Sequence, residues 1–369
     1  MLLHARSRSL AHSSDEVLAE LSDELALHTA PETHAAVLEL ITGIHPDVEG
    51  SVAELAALRN RLVGELRPMG LIAAAAGMHP LAVWEETKVS SAMRYRLLDQ
   101  SMRLLGRREP TMALHVHLGV PDPEDAVRLL NGLRCNAPVL LALSANSPFW
   151  QGRDGGFAST RTLIFQAFPR TGLPRYFEDY SDYVETVDGL IASHAIPDPS
   201  FLWWDVRLQP TLGTVEVRVM DAQSTVGDVA PLVALIQSLA RRELETAPSA
   251  IVPSAEMLAE NRFLAARDGM DARLIDPTYR RLVPVRDMLE DLVAECRPHA
   301  LALGCADVLE QVPQLAAETG ADRQRALAVS DGNLDHLVAR LAGRFDTDIA
   351  TGRSGPCVAG SRIPALPSS

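Results

Sequence analysis

Three segments of this chain alternate apolar and polar residues with period two, as half-buried strands do. Over 111–120, Met112, Leu114, Val116 and Leu118 fall on one face, with Thr111, Ala113, His115, His117 and Gly119 on the other. Over 203–209, Trp204, Val206 and Leu208 oppose Trp203, Asp205, Arg207 and Gln209. Over 214–219, Val215, Val217 and Val219 oppose Thr214, Glu216 and Arg218. The stretch Pro210–Gly213 between the last two is turn-forming and predicts a β-hairpin. A slip of one residue turns a strand over, so shared apolar faces restrict the register. One permitted pairing sets Arg207 opposite Glu216 and Asp205 opposite Arg218, complementary charges on one surface.

Helical spacing dominates elsewhere, over 15–28 with Ser14 as N-cap, 47–66, 91–106, 123–135, 227–245, 255–268, 285–303 and 333–343. The pattern predicts an α+β fold, an antiparallel sheet with one polar face, backed and surrounded by helices. It reads as one domain over 1–344, with no internal repeat. Residues 345–369 turn to Gly, Ser and Pro, too little apolar surface to offset ordering entropy, and are expected to be a disordered tail.

Composition narrows the function. The chain has 369 residues, 47% of them apolar, and a net charge of −14, which argues against non-specific binding to nucleic acid phosphates. Four cysteines without a CxxC pair indicate neither a zinc knuckle nor a disulfide framework. The N-terminus lacks the apolar core of a signal peptide, and the patches at 71–76 and 139–143 are too short to span a membrane. A cytoplasmic protein that does not engage membranes is expected.

Candidate chemistry gathers on the polar strand faces. His115 and His117 share a face and can reach one metal or phosphate, though an HxH pair also occurs as a half-buried structural pair. Glu216, Arg218 and Asp221 form a carboxylate, guanidinium, carboxylate set that suits Mg²⁺ and phosphate; its bland alternative is a salt-bridge ladder. The loop 144–161 packs Asn, Ser, Gly, Asp and Arg around two aromatics, a ligand-binding composition. Arg161, at its end, could fork onto an α-carboxylate or form a surface salt bridge. GRDGG fits neither a P-loop nor a dinucleotide fingerprint. A barrel hydrolase would need further ligand histidines, and His194, His299 and His336 sit in no strand-end context.

HVHLGV at 115–120, ALSANSPFWQG at 142–152, FASTR ending at Arg161, the run 203–222, NRFLAARDG at 261–269 and the segment 75–98 occur in order. Together they resemble the type 2 glutamate–cysteine ligase family. The resemblance implies a glutamine synthetase-like catalytic fold whose sheet floors a funnel for ATP, Mg²⁺ and an acidic amino acid. It implies that ATP phosphorylates a carboxylate such as that of glutamate and that an amine such as cysteine attacks the acyl phosphate. Carried over by motif, Glu216 and Arg218 are catalytic, His115, His117 and Glu216 hold metal, Arg218 and Arg267 meet ATP, and Asn146, Ser147 and Arg161 meet the amino acid.

Two departures qualify it. The family pattern opens with a glutamate-bearing strand, approximately Gly-Val-Glu-Glu-Glu-Phe, which is absent before 15–21 here; Met1–Ala11 is expected to supply at most a partial substitute strand, and activity is expected to be weak. In the substrate loop, Gly155, Gly156, Phe157, Ala158, Ser159, Thr160 and Arg161 stand where the family shows Thr-Gly-Tyr-Ala-Ser-Tyr-Arg, removing hydroxyls that bind substrate. The alternative is a catalytically degraded paralogue that binds or regulates. A homodimer is the expected assembly.

Overall fold

A computed structural model of the chain describes residues 1–247 and 251–347. Its central feature is a three-stranded antiparallel sheet in the order Val206–Gln209, Thr214–Val217, Val116–Gly119. Arg207 pairs with Glu216, and Glu216 in turn with His117. The expected hairpin register is therefore the observed one. Beyond Val217 the backbone keeps the pairing, Arg218 N–H donating to Asp205 O at 2.7 Å, but the Asp205 side chain turns to Arg262 instead of Arg218.

Valines drive this arrangement, because β-branched side chains pack well on a pleated surface. Val206, Val215 and Val217 are fully buried beneath the helix Pro123–Ser144, and the Val116–Gly119 strand packs against the helix Val226–Glu245. In the first helix Leu129, Leu130, Leu133, Leu140 and Leu141 are also fully buried, each stabilising by about 1.5–3 kcal/mol. Asp122 caps it, accepting from the Glu124 and Asp125 amides, and Pro123 occupies the first turn, where its missing N–H costs nothing. This helix outruns its expected end at 135, since burial of the 137–144 stretch outweighs the one hydrogen bond lost at Pro138.

The expected helix 15–28 is two short ones, Ser14–Glu20 and Asp23–Ala26, broken at an extended Leu21, and Ser13 rather than Ser14 stands at the N-cap of the first, without a side-chain capping bond. The Ser22 hydroxyl offers the Leu25 amide a competing cap, which restarts the chain in a new direction. Residues 111–115 are bridged rather than regular strand: Leu114 N–H donates to Met220 O and Met112 N–H to Gly77 O. Near the N-terminus Leu2–His4 pairs with Leu71–Ala73, and Thr29–Pro31 with Leu38–Leu40. At the other end the helix Leu334–Thr347 runs past 343 and buries Phe345 under the Arg59 guanidinium. Residues 345–347 of the expected tail are thus helical, and the rest of it lies outside the described residues. Among the described residues no helix is long and apolar enough to cross a membrane.

Candidate functional site

Glu216 stands at the middle of the polar sheet face and is buried. One of its oxygens, Oε2, accepts from Arg207 Nε at 2.6 Å and from Gln209 Nε2 at 2.9 Å. The other, Oε1, accepts from Arg218 and faces His115 Nδ1 at 3.5 Å and His117 Nε2 at 3.6 Å. The His117 ring is fixed from its far side, with Nδ1 2.9 Å from Thr214 Oγ1. Strand alternation thus gathers His115, His117, Glu216 and Arg218 around one carboxylate.

The charges follow from this crowding. Burial alone would raise the Glu216 carboxyl, yet the neighbouring Arg218, His115 and Arg207 hold it far below the usual carboxylate range. Burial lowers His115 to about 4, helped by the Arg218 charge, and burial likewise lowers His117. Both rings are therefore neutral near pH 7, and the two arginines keep Glu216 ionised. Neutral imidazoles offer lone pairs to a cation or a proton.

Two further carboxylates complete the face. Glu39, on the Leu38–Leu40 strand, places Oε1 3.4 Å from His115 Nδ1. Burial opposes its ionisation, and the contact with His115 and the Arg218 charge overcome that, so Glu39 is held below its ordinary value. Glu32 follows Pro31, whose carbonyl accepts from Tyr95 Oη at 2.6 Å. Burial and the Glu39 charge raise Glu32. Sequence reasoning missed both residues. The only signal was Leu38 and Leu40 flanking Glu39, an alternation of three residues.

Mg²⁺, a hard cation, takes one or two carboxylates and completes its shell with water and phosphate, and Glu39 and Glu32 are the oxygen donors that could supply them here. Glu216 is less available than the sequence implied, since Arg207, Gln209 and Arg218 occupy its oxygens. Among the described residues no group of three or more His, Cys, Asp or Glu side chains is placed to hold a metal ion.

The loop residues assemble elsewhere, around Asp221. Ser147 Oγ and Ser159 Oγ donate to its carboxylate at 2.7 and 2.9 Å, and the Asn146 amide donates at 2.8 Å. The Asn146 side chain is saturated as well: Nδ2 donates to Ala222 O, and Oδ1 accepts from Gln324 Nε2, both at 2.8 Å. Arg161 lies 3.6 Å from Asp221 Oδ1 and donates to the carbonyls of Val219 and Arg218, each at 3.1 Å. All five residues of this cluster are buried, so Asn146, Ser147 and Arg161 face protein partners where an amino-acid ligand was expected. Arg267 is not brought to Glu216 either: its half-exposed guanidinium pairs with Asp268 at 2.7 Å and lies over Phe263.

The profile of Glutamate-cysteine ligase family 2 (GCS2) matches residues 1–340. The chain belongs to glutamate–cysteine ligase family 2. Two proteins of Rubrobacter xylanophilus, provisionally named glutamate–cysteine ligase 2-1 and 2-3, are similar to it. The first is 37% identical over 342 residues, 92% of this chain and 91% of the relative. The second is 39% identical over 343 residues, 92% and 93%. Among solved structures, a Francisella tularensis glutamate–cysteine ligase in complex with AMP superposes with a TM-score of 0.68 at 12% identity, covering 95% of this chain and 91% of that one. A bifunctional glutathione synthetase from Pasteurella multocida gives 0.64 at 14%, covering 87% of this chain and 48% of that one. At such identities the likeness establishes the ligase fold, mixed helices and small antiparallel sheets without a closed barrel.

Proposed function

We propose that this family member is an ATP-dependent carboxylate–amine ligase that joins the side-chain carboxylate of glutamate to an amine, cysteine in the namesake reaction. In the first step a glutamate carboxylate oxygen attacks the γ-phosphorus of ATP, the bond to the ADP oxygen breaks, and an acyl phosphate forms. In the second the amine nitrogen attacks the acyl carbon, phosphate leaves, and the nitrogen loses a proton. Little covalent work falls to the protein in such transfers; positioning and charge neutralisation dominate.

The observation that carries this reading is Arg218, held at the polar sheet face by the ionised Glu216 beside two neutral imidazoles and the Glu32–Glu39 pair. Arg218 would meet the transferred phosphoryl group. Glu216, with Arg207 behind it, would keep Arg218 in place, and His115 and His117 would line the phosphate path. Glu39 and Glu32 would hold Mg²⁺ together with phosphate oxygens and water, and the cation when bound draws off phosphate charge. A cytoplasmic location, where ATP is at hand, and a homodimeric assembly are part of this proposal.

Purified protein given Mg²⁺-ATP, glutamate and cysteine should release ADP together with a γ-glutamyl amide. A second reading, a binding or regulatory protein, is favoured by the engagement of both Glu216 oxygens by arginines of the protein itself. Nucleotide binding without ADP release in the presence of several amines would establish it in place of the first.

A further inference from the structure

The site arginine leaves the sheet where the regular ladder ends. The Thr214–Val217 strand stops one residue before Arg218; the Arg218 amide still pairs with Asp205 O, while its carbonyl is held from outside the sheet. Arg161 supplies that hold from an element distant in sequence, donating Nη1 to Val219 O and Nη2 to Arg218 O, both at 3.1 Å. Its charge is balanced by Asp221, 3.6 Å away. Asp221 is locked in turn by Ser147, Ser159 and the Asn146 amide. Gly77 makes room for this layer, because a Cβ there would lie 2.7 Å from the Asp221 carboxylate. We propose that Arg161 is a positioning residue rather than an amino-acid contact: with Asp221 it forms a buried clamp on the 218–219 carbonyls that sets the aim of Arg218.

The inference rests on the proposed ligase reading for its kinetic consequence, though not for its structural one. A planar guanidinium can hold two carbonyls at once, and an ammonium cannot keep that fork geometry. Arg161→Lys therefore keeps the charge opposite Asp221 while losing the two-point grip. Misaiming a group that stabilises the transferred phosphoryl should lower kcat and leave ground-state affinity almost untouched.

The test combines hydrogen exchange with a double-mutant cycle. In R161K the Arg218 amide, which donates to Asp205 O, should exchange faster while the 206–209 and 214–217 ladder keeps its protection. Unchanged exchange at Arg218, or equal acceleration across the whole sheet, would overturn the clamp. In turnover, R161K should lower kcat about 10- to 100-fold with KM for glutamate held within about twofold, and it should add little in an R218K background. A raised KM for glutamate with kcat retained, or additive losses, would make Arg161 a substrate contact and sink the proposal. Should R161K fail to fold, Ser147→Ala removes one support of Asp221 and should reproduce the local exchange effect in smaller measure; no local effect there overturns the clamp equally. If the wild-type protein turns over no ATP, the ligase reading fails and exchange alone decides the clamp.

Discussion

Glu216 and His117 face each other directly across two paired strands, with Nε2 of the ring 3.6 Å from Oε1 of the carboxylate. Because that carboxylate also anchors the buried Arg207, the polar face is part of the fold as well as a surface for ligands.

Glu216→Gln keeps the shape and removes the charge that compensates Arg207. Breaking a buried pair leaves an uncompensated charge, so a loss of about 3–5 kcal/mol is expected, with turnover lost in parallel. Urea denaturation measures it, and a change below about 1 kcal/mol, the scale of an exposed pair, would show that the pair is solvated.

Stability should fall on mild acidification. Burial lowers both His115 and His34 to about 4 in the folded protein, against an ordinary value of 6.5. Between those values the unfolded chain binds the extra protons, so stability is unaffected above pH 6.5 and is lost as pH falls from 6.5 towards 4. Each ring contributes up to about 1.4 kcal/mol per pH unit in that window. Denaturation midpoints from pH 7 to 4.5 check this, and His34→Gln should shallow the slope; a flat profile would contradict the desolvation of the buried His34 and the partly buried His115.

Gly77→Ala should destabilise by about 1–3 kcal/mol, since its methyl group would press on Asp221 and Ser147 in a layer with no room to yield. Thermal unfolding gives the number, and a neutral result would mean that the Asp221 layer is looser than its hydrogen bonds indicate.

Glu39→Gln should raise the Mg²⁺ concentration needed for half-maximal turnover by about tenfold or more, the scale expected for losing a metal contact or its supporting partner. An unchanged metal requirement would move the cation away from the Leu38–Leu40 strand.

The hairpin was legible because four alternating residues on each strand bury valines on one side, and only a limited set of registers then sets Arg207 against Glu216. Glu32 and Glu39 were not. Glu39 sits in a strand of three residues and Glu32 just beyond another, and only tertiary placement, the contact of Glu39 with His115 and the charge of Glu39 on Glu32, makes them part of the site. Arg161 was singled out for its chemistry, but nothing in a local motif says whether a guanidinium will face a ligand or a backbone carbonyl. The break at Leu21 was hidden too, because periodicity carries on through Ser22 while the hydroxyl of that serine recaps the chain.

Gln324 donates to both the backbone carbonyl and the side-chain oxygen of Asn146, across 178 residues of chain. During synthesis the Asn146 loop, and the Asp221 layer it helps to close, can therefore not settle until the helix Gly320–Asp331 has left the ribosome. A nascent chain halted anywhere before that helix would hold most of the sheet and most of the core, yet Asn146 would still lack the amide that fixes its orientation.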